Sequence, residues 1–165
     1  MENSYWHQKF LLCISLGLGS CLTVQAAELF SYAAIQLPSQ PQNTQPWAEI
    51  ITTQEQWQAF YTRNFNGNPN APLLTITAPS IDFSSYRVVV GGLGIKSNSN
   101  YSLTVNHIIE ASNEIFMEVL DLGSGLSGQG CGGNALASFP YVAVLIRKTD
   151  KPITVKVLRA IKECS

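Results

Sequence analysis

Few residues of this chain are equipped for chemistry. Past the first 26 residues the only histidine is His107, and the only thiols are Cys131 and Cys164. A side-chain nucleophile needs a base within reach, so two arrangements qualify: Ser127 or Cys131 as nucleophile with His107 as its base. The serine sits in Gly125-Leu126-Ser127-Gly128-Gln129, which lacks the final glycine of a nucleophile elbow, and no strand-to-helix turn is predicted there. A catalytic thiol must stay free, whereas Cys131 has Cys164 available as a partner. Glu114 and Glu118 share a strand face, an arrangement that exposed strand positions reach without any catalytic role. With one histidine and no thiol to spare, a structural zinc cage is not available. A weak calcium site through Asp121 or Asp82 is the remaining metal chemistry, and the expectation is that the chain uses no metal and no cofactor.

The glycines of "GLGIKSNSNYSLTV", Gly92 to Val105, raise a different chemistry, the cradling of a phosphate. Such a loop needs a helix after it, whose N-terminus supplies oriented N–H groups. The segment after this one alternates instead, with Tyr101, Leu103, Val105 and Ile109 on one face and Ser102, Thr104, Asn106 and Glu110 on the other. Period two means a strand, so the asparagines and serines read as a hairpin connection. His107 falls on the apolar face of this strand, at the edge of the core.

The elements around these residues are sheet elements with one exception. In "AEIITTQEQWQAFY" a short strand precedes a helix, signalled by capping pairs at Thr52/Glu55 or Thr53/Gln56 and by Trp57, Phe60 and Tyr61 at helical spacing. The run Val88-Val89-Val90 suits a strand buried on both faces. "EIFMEVLDL" alternates again and pairs antiparallel with its predecessor across Ala111 to Asn113. Tyr141 to Arg147 and Ile153 to Leu158 are expected to form a second hairpin around Thr149 to Pro152. The fold class is therefore α+β and sheet-dominated: a mainly antiparallel β-sheet or small sandwich with one packed α-helix.

A chain of 165 residues, 45% apolar and 13% charged, holds one domain with a core. Lys9, the apolar run Phe10 to Leu18 and the small residues after it have the order of a secretory signal over residues 1–26. The soluble reading places the mature start at Ala27, after Val24-Gln25-Ala26. The alternative is a lipobox at Leu18 to Cys21, which would lipidate Cys21 and make the protein an envelope lipoprotein. Membrane attachment is expected only in that case; otherwise the protein is periplasmic or secreted. Residues 27–47, rich in glutamine and proline, read as a flexible arm, and the domain as 48–165. In an oxidising compartment Cys131 and Cys164 form an even pair, and a bridge closing about 30 residues is worth about 3–4 kcal/mol in the chain-entropy model.

Of the ten lysines and arginines, nine come after the leader, and six of those crowd the last stretch: Arg147, Lys148, Lys151, Lys156, Arg159 and Lys162. Lysines along an edge strand discourage aggregation, and an exported chain whose aromatics are committed to a core argues against nucleic acid as a partner.

In order, the helix "TQEQWQAFY", "IDFSSYRVVVGGLG", the polar turn into "NYSLTVNHI" and the late strand "FPYVAVLIRK" resemble the PrcB-like domain, the family of an accessory subunit in a bacterial surface protease complex. The resemblance covers about Ala48 to Leu158. Where that family has glycine beside the tyrosine of its third motif, this chain has Asn100, and "GSGLSGQGCGG" is longer than the family's insertion. The resemblance implies an exported, non-enzymatic accessory protein that binds or stabilises a protease or another envelope protein. A protease-inhibitor-like module is its close variant, and a hydrolase using Ser127 or Cys131 with His107 is the alternative of another class. A binding module would present its loops, here Lys96, Ser97, Asn98, Ser99 and Asn100, and Gly125, Leu126, Ser127 and Gln129.

Overall fold

The structure is a computed structural model and describes residues 28–65, 77–97, 101–124 and 136–162. Its elements in chain order are β1 (Glu28–Leu29), β2 (Tyr32–Ala34), β3 (Trp47–Ile51), α1 (Gln54–Phe65), β4 (Tyr86–Gly92), β5 (Ser102–Glu110), β6 (Ile115–Ser124), β7 (Tyr141–Arg147) and β8 (Ile153–Lys162). They form two four-stranded sheets, ordered β2-β7-β4-β3 and β1-β5-β6-β8. The first is the middle layer, with α1 on one face and the second sheet on the other. The expected sheet-dominated α+β sandwich with one packed helix is what forms.

The Val88-Val89-Val90 run shows why this layering arises. Alternate strand residues point to opposite faces, so Val88 and Val90 join Trp57, Phe60, Tyr61 and Phe65 of α1 in one core, while Val89 joins Ile108, Met117, Val119 and Val144 in the other. A strand apolar at every position must be covered on both sides, and this one is. α1 starts where its cap dictates. The Gln56 N–H donates to Thr53 Oγ1 at 3.2 Å, and Gln56 Oε1 accepts from the Thr52 N–H at 2.8 Å. Of the two capping pairs readable in the sequence, Thr53/Gln56 is the one used.

Three expectations are corrected. The arm over 27–47 is part of the domain from Glu28 onward: β1 pairs with β5, β2 pairs with β7, and Phe30, Leu37 and Pro41 are buried. These anchors are single and aperiodic, and the glutamines between them face solvent, so the stretch imitates a linker. Its polar side chains also bind locally, as when Gln40 Oε1 accepts from the Phe139 N–H at 3.2 Å.

The second correction is the hairpin of β7 and β8, which does not form. β7 already has β2 and β4 on its two sides, leaving no edge for β8. The chain instead crosses to the other sheet, where β8 lies parallel to β6 from Ile115↔Ile153 to Ser124↔Lys162. Lys151 fixes the crossing, its Nζ reaching Glu110 Oε1 at 2.9 Å and the Ala111 carbonyl at 2.7 Å.

Third, β5 carries a bulge. Val105 opposes Val119 and His107 opposes Glu118, so Asn106 is the extra residue. One inserted residue turns every later side chain to the other face. Ile108 is therefore buried between the sheets, and His107 and Ile109 lie on the outer face of the second sheet rather than with Leu103 and Val105.

Candidate functional site

His107 is half-exposed on that outer face. Its Nδ1 lies 3.9 Å from Glu118 Oε1, and the same oxygen accepts a hydrogen bond from Asn106 Nδ2 at 2.7 Å. The bulge and the register thus give the histidine one acidic neighbour, a surface arrangement. Ser127, Cys131 and Cys164 lie outside the described residues, as do Cys21, Asn98, Ser99, Asn100, Gly125, Leu126 and Gln129. Of the expected partner-binding loops, Lys96 and Ser97 are described. Lys96 makes a two-way backbone bridge with Ser138, at 2.8 and 3.0 Å, and its ammonium sits 5.5 Å from the centre of the Tyr101 ring. That residue belongs to the scaffold more than to a free loop tip.

The glycines before it have a structural purpose. Gly94 has φ +72°, a left-handed conformation that favours glycine, and a Cβ there would lie 2.6 Å from the Thr44 carbonyl oxygen. A Cβ at Gly92 would meet Trp47 Nε1 at 2.8 Å and the Pro140 carbonyl at 2.9 Å. The glycines let the 37–47 segment lie directly on the end of β4, and the next described element after them is the strand β5, not a helix that could hold a phosphate.

The acidic candidates are equally local. Asp82 caps the turn before β4, its Oδ1 accepting from the Ser84 hydroxyl and from the Ser84 N–H at 3.0 Å. The Ser84 hydroxyl, then that of Ser85, hold its carboxyl below the usual carboxylate range. Asp121 lies on the inner face of β6, and its Oδ1 is buried without a hydrogen-bond partner among the described residues. Among the described residues no three His, Cys, Asp or Glu side chains come together as a metal site.

What the sequence did not announce is a groove of about 250 Å³ at the open side of the sandwich, between β5 and the β2/β7 edge. Leu103 and Val105 form one wall, and Ala34, Tyr141, Val142 and Val144 supply most of the other; the lining contains no acidic or basic residue. It is smaller than the sites that hold drug-sized ligands or cofactors, about 300–1,000 Å³. The outer face of the second sheet is the other uncovered surface. Register places Phe116 beside Ile109, Glu118 between His107 and Lys156, and Leu120 beside Leu158, with no described element packed over them.

Comparisons with protein-family models, with curated proteins and with solved structures find no match to this chain. The architecture defines a class, a two-sheet sandwich with a helix on one face. No described helix is long and apolar enough to cross a membrane.

Proposed function

We propose that the chain is an exported, non-enzymatic accessory module of the PrcB-like kind, which holds a protease or another envelope protein through its exposed sheet surfaces and loops. One observation carries this reading: the histidine and the concave surface are in different places. An enzyme brings polar groups together in a pocket. Here His107 lies on the outer face of the second sheet beside Glu118, while the groove between the sheets is walled by aliphatic and tyrosine side chains. The two bridged sheets and the packed helix supply the rigid scaffold on which binding surfaces are presented.

The test is capture of a partner from envelope extract with the exported protein, alongside His107→Ala and Ser127→Ala variants and a screen of ester, amide and glycoside substrates. Equal capture by all three proteins, without turnover, supports the reading. Turnover that either substitution abolishes replaces it with the hydrolase.

A further inference from the structure

We propose that the open edge of β5, from Ser102 to Asn106, accepts an extended segment of a partner protein as an added β-strand, with alternate apolar side chains of that segment seated in the groove beside it. This rests on the binding-module reading above and deepens it.

The edge itself selects the occupant. On one side β5 pairs with β6 along almost its whole length; on the other, β1 pairs only with Ile109 and Glu110, and the Phe30 N–H donates to the Ile108 carbonyl at 2.8 Å. There the chain leaves for β2. Below Ile108 the lane that β1 began has no strand in it among the described residues. The Val105 carbonyl faces this lane, where the Tyr32 hydroxyl meets it at 3.5 Å, the outer limit of a hydrogen bond. Leu103, two residues away with no bulge between, directs its main-chain groups to the same side. Main-chain donors and acceptors in a row are satisfied by another extended main chain, and not by a lipid or a small apolar molecule.

Length and composition agree with that occupant. Among the described residues the five from Ser102 to Asn106 have no strand partner on that side, and at about 3.4 Å each they give a lane of about 17 Å, the length of an ordinary strand. The chain guards another edge: β8 carries Lys156 and Arg159, charges of the kind that discourage strand addition. Ser102, Leu103, Thr104 and Val105 carry none, and the groove they border is uncharged. A neutral segment with apolar residues at every second position fits both the lane and the groove.

The probe is an acetylated, amidated peptide, Gln-Val-Thr-Val-Thr-Val-Gln, titrated into the isotope-labelled protein and followed by amide shifts and hydrogen exchange. Saturable shifts centred on Leu103 and Val105, with slowed exchange of those two amides, are expected. Methylating the peptide's alternate backbone nitrogens should abolish binding. Ala34→Lys, at an exposed position on the groove wall, should weaken it at least tenfold with the thermal midpoint unchanged. No saturable shift at millimolar peptide overturns the proposal, as does binding that survives both N-methylated forms. Shifts at Leu103 and Val105 that grow with protein concentration alone would make the occupant a second copy. Protection present before peptide is added, and lost on removing residues 2–26, would make it the chain's own leader. Either result also overturns the proposal. Capture of an envelope partner that Ala34→Lys leaves intact overturns the edge alone and leaves the accessory reading standing.

Discussion

Trp57→Ala removes the centre of the helix–sheet core, and its cost can be worked from the contacts. The indole is fully buried, stacks on Phe60 at 5.4 Å and 5°, and meets Tyr61 edge-on at 4.7 Å. Truncating a buried tryptophan costs about 3–5 kcal/mol in transfer and cavity terms. The Nε1–H bond to the Pro79 carbonyl, 3.1 Å, adds little to this, because Gln54 Nε2 also donates to that oxygen and Pro79 is exposed. Against the 5–15 kcal/mol typical of a whole domain, a loss of about 3–5 kcal/mol removes most of the stability of a domain at the low end of that range. Trp57→Phe keeps a ring against Phe60 and forgoes the bond and part of the volume, for about 1–2 kcal/mol. Urea unfolding followed by far-ultraviolet circular dichroism, with the slope m checked for constancy, reads both numbers. A loss below about 2 kcal/mol for Trp57→Ala, or equal losses for the two variants, would refute this account of the core.

Gly94→Ala should cost about 2–4 kcal/mol, from the left-handed backbone and from a Cβ driven into the Thr44 carbonyl. Gly123→Ala, whose Cβ would meet the Tyr101 ring at 3.1 Å and Asp121 Oδ1 at 3.9 Å, should cost less than half as much by the same unfolding assay. Burial first, and then Tyr141, raise the pKa of Tyr61 above its ordinary 10.0. The unfolded chain therefore gives up this proton more readily, so stability present below pH 10.0 is lost as the pH climbs through the folded value. Tyr61→Phe should flatten that alkaline decline in denaturation midpoints measured across pH 9–11, on the order of one unit either side of the tyrosine range. If the protein is exported, thiol titration of it, denatured and unreduced, should find Cys131 and Cys164 unreactive; two reactive groups per chain would exclude the bridge.

The legible parts of this fold are those whose pattern is local. The helix announced itself through Thr53/Gln56 and the aromatics at helical spacing, and an inner strand of the central sheet, β4, through three consecutive valines. The hairpin of β5 and β6 was readable from two alternating runs and a short turn. What escaped depends on distant competition for edges. Nothing within Tyr141 to Leu158 reveals that β7 is already flanked by β2 and β4, which is what sends β8 across to β6. The bulge at Asn106 is a register event, invisible to a strict two-residue period, and it alone moved His107 from the expected core edge to the outer face. The groove escaped for a simpler reason. Its walls are ordinary alanine, leucine, valine and tyrosine residues from β2, β5 and β7, and only the assembly of two sheets sets them opposite each other.

The central claim is that this protein holds a partner without transforming it. Intact-mass spectrometry of the captured partner, incubated with a stoichiometric amount of the purified protein and sampled over hours, tests that directly. A stable complex in which neither polypeptide changes mass, formed equally well by His107→Ala, is the result the account predicts. Cleavage or covalent modification of the partner that stops in the His107→Ala variant would contradict it.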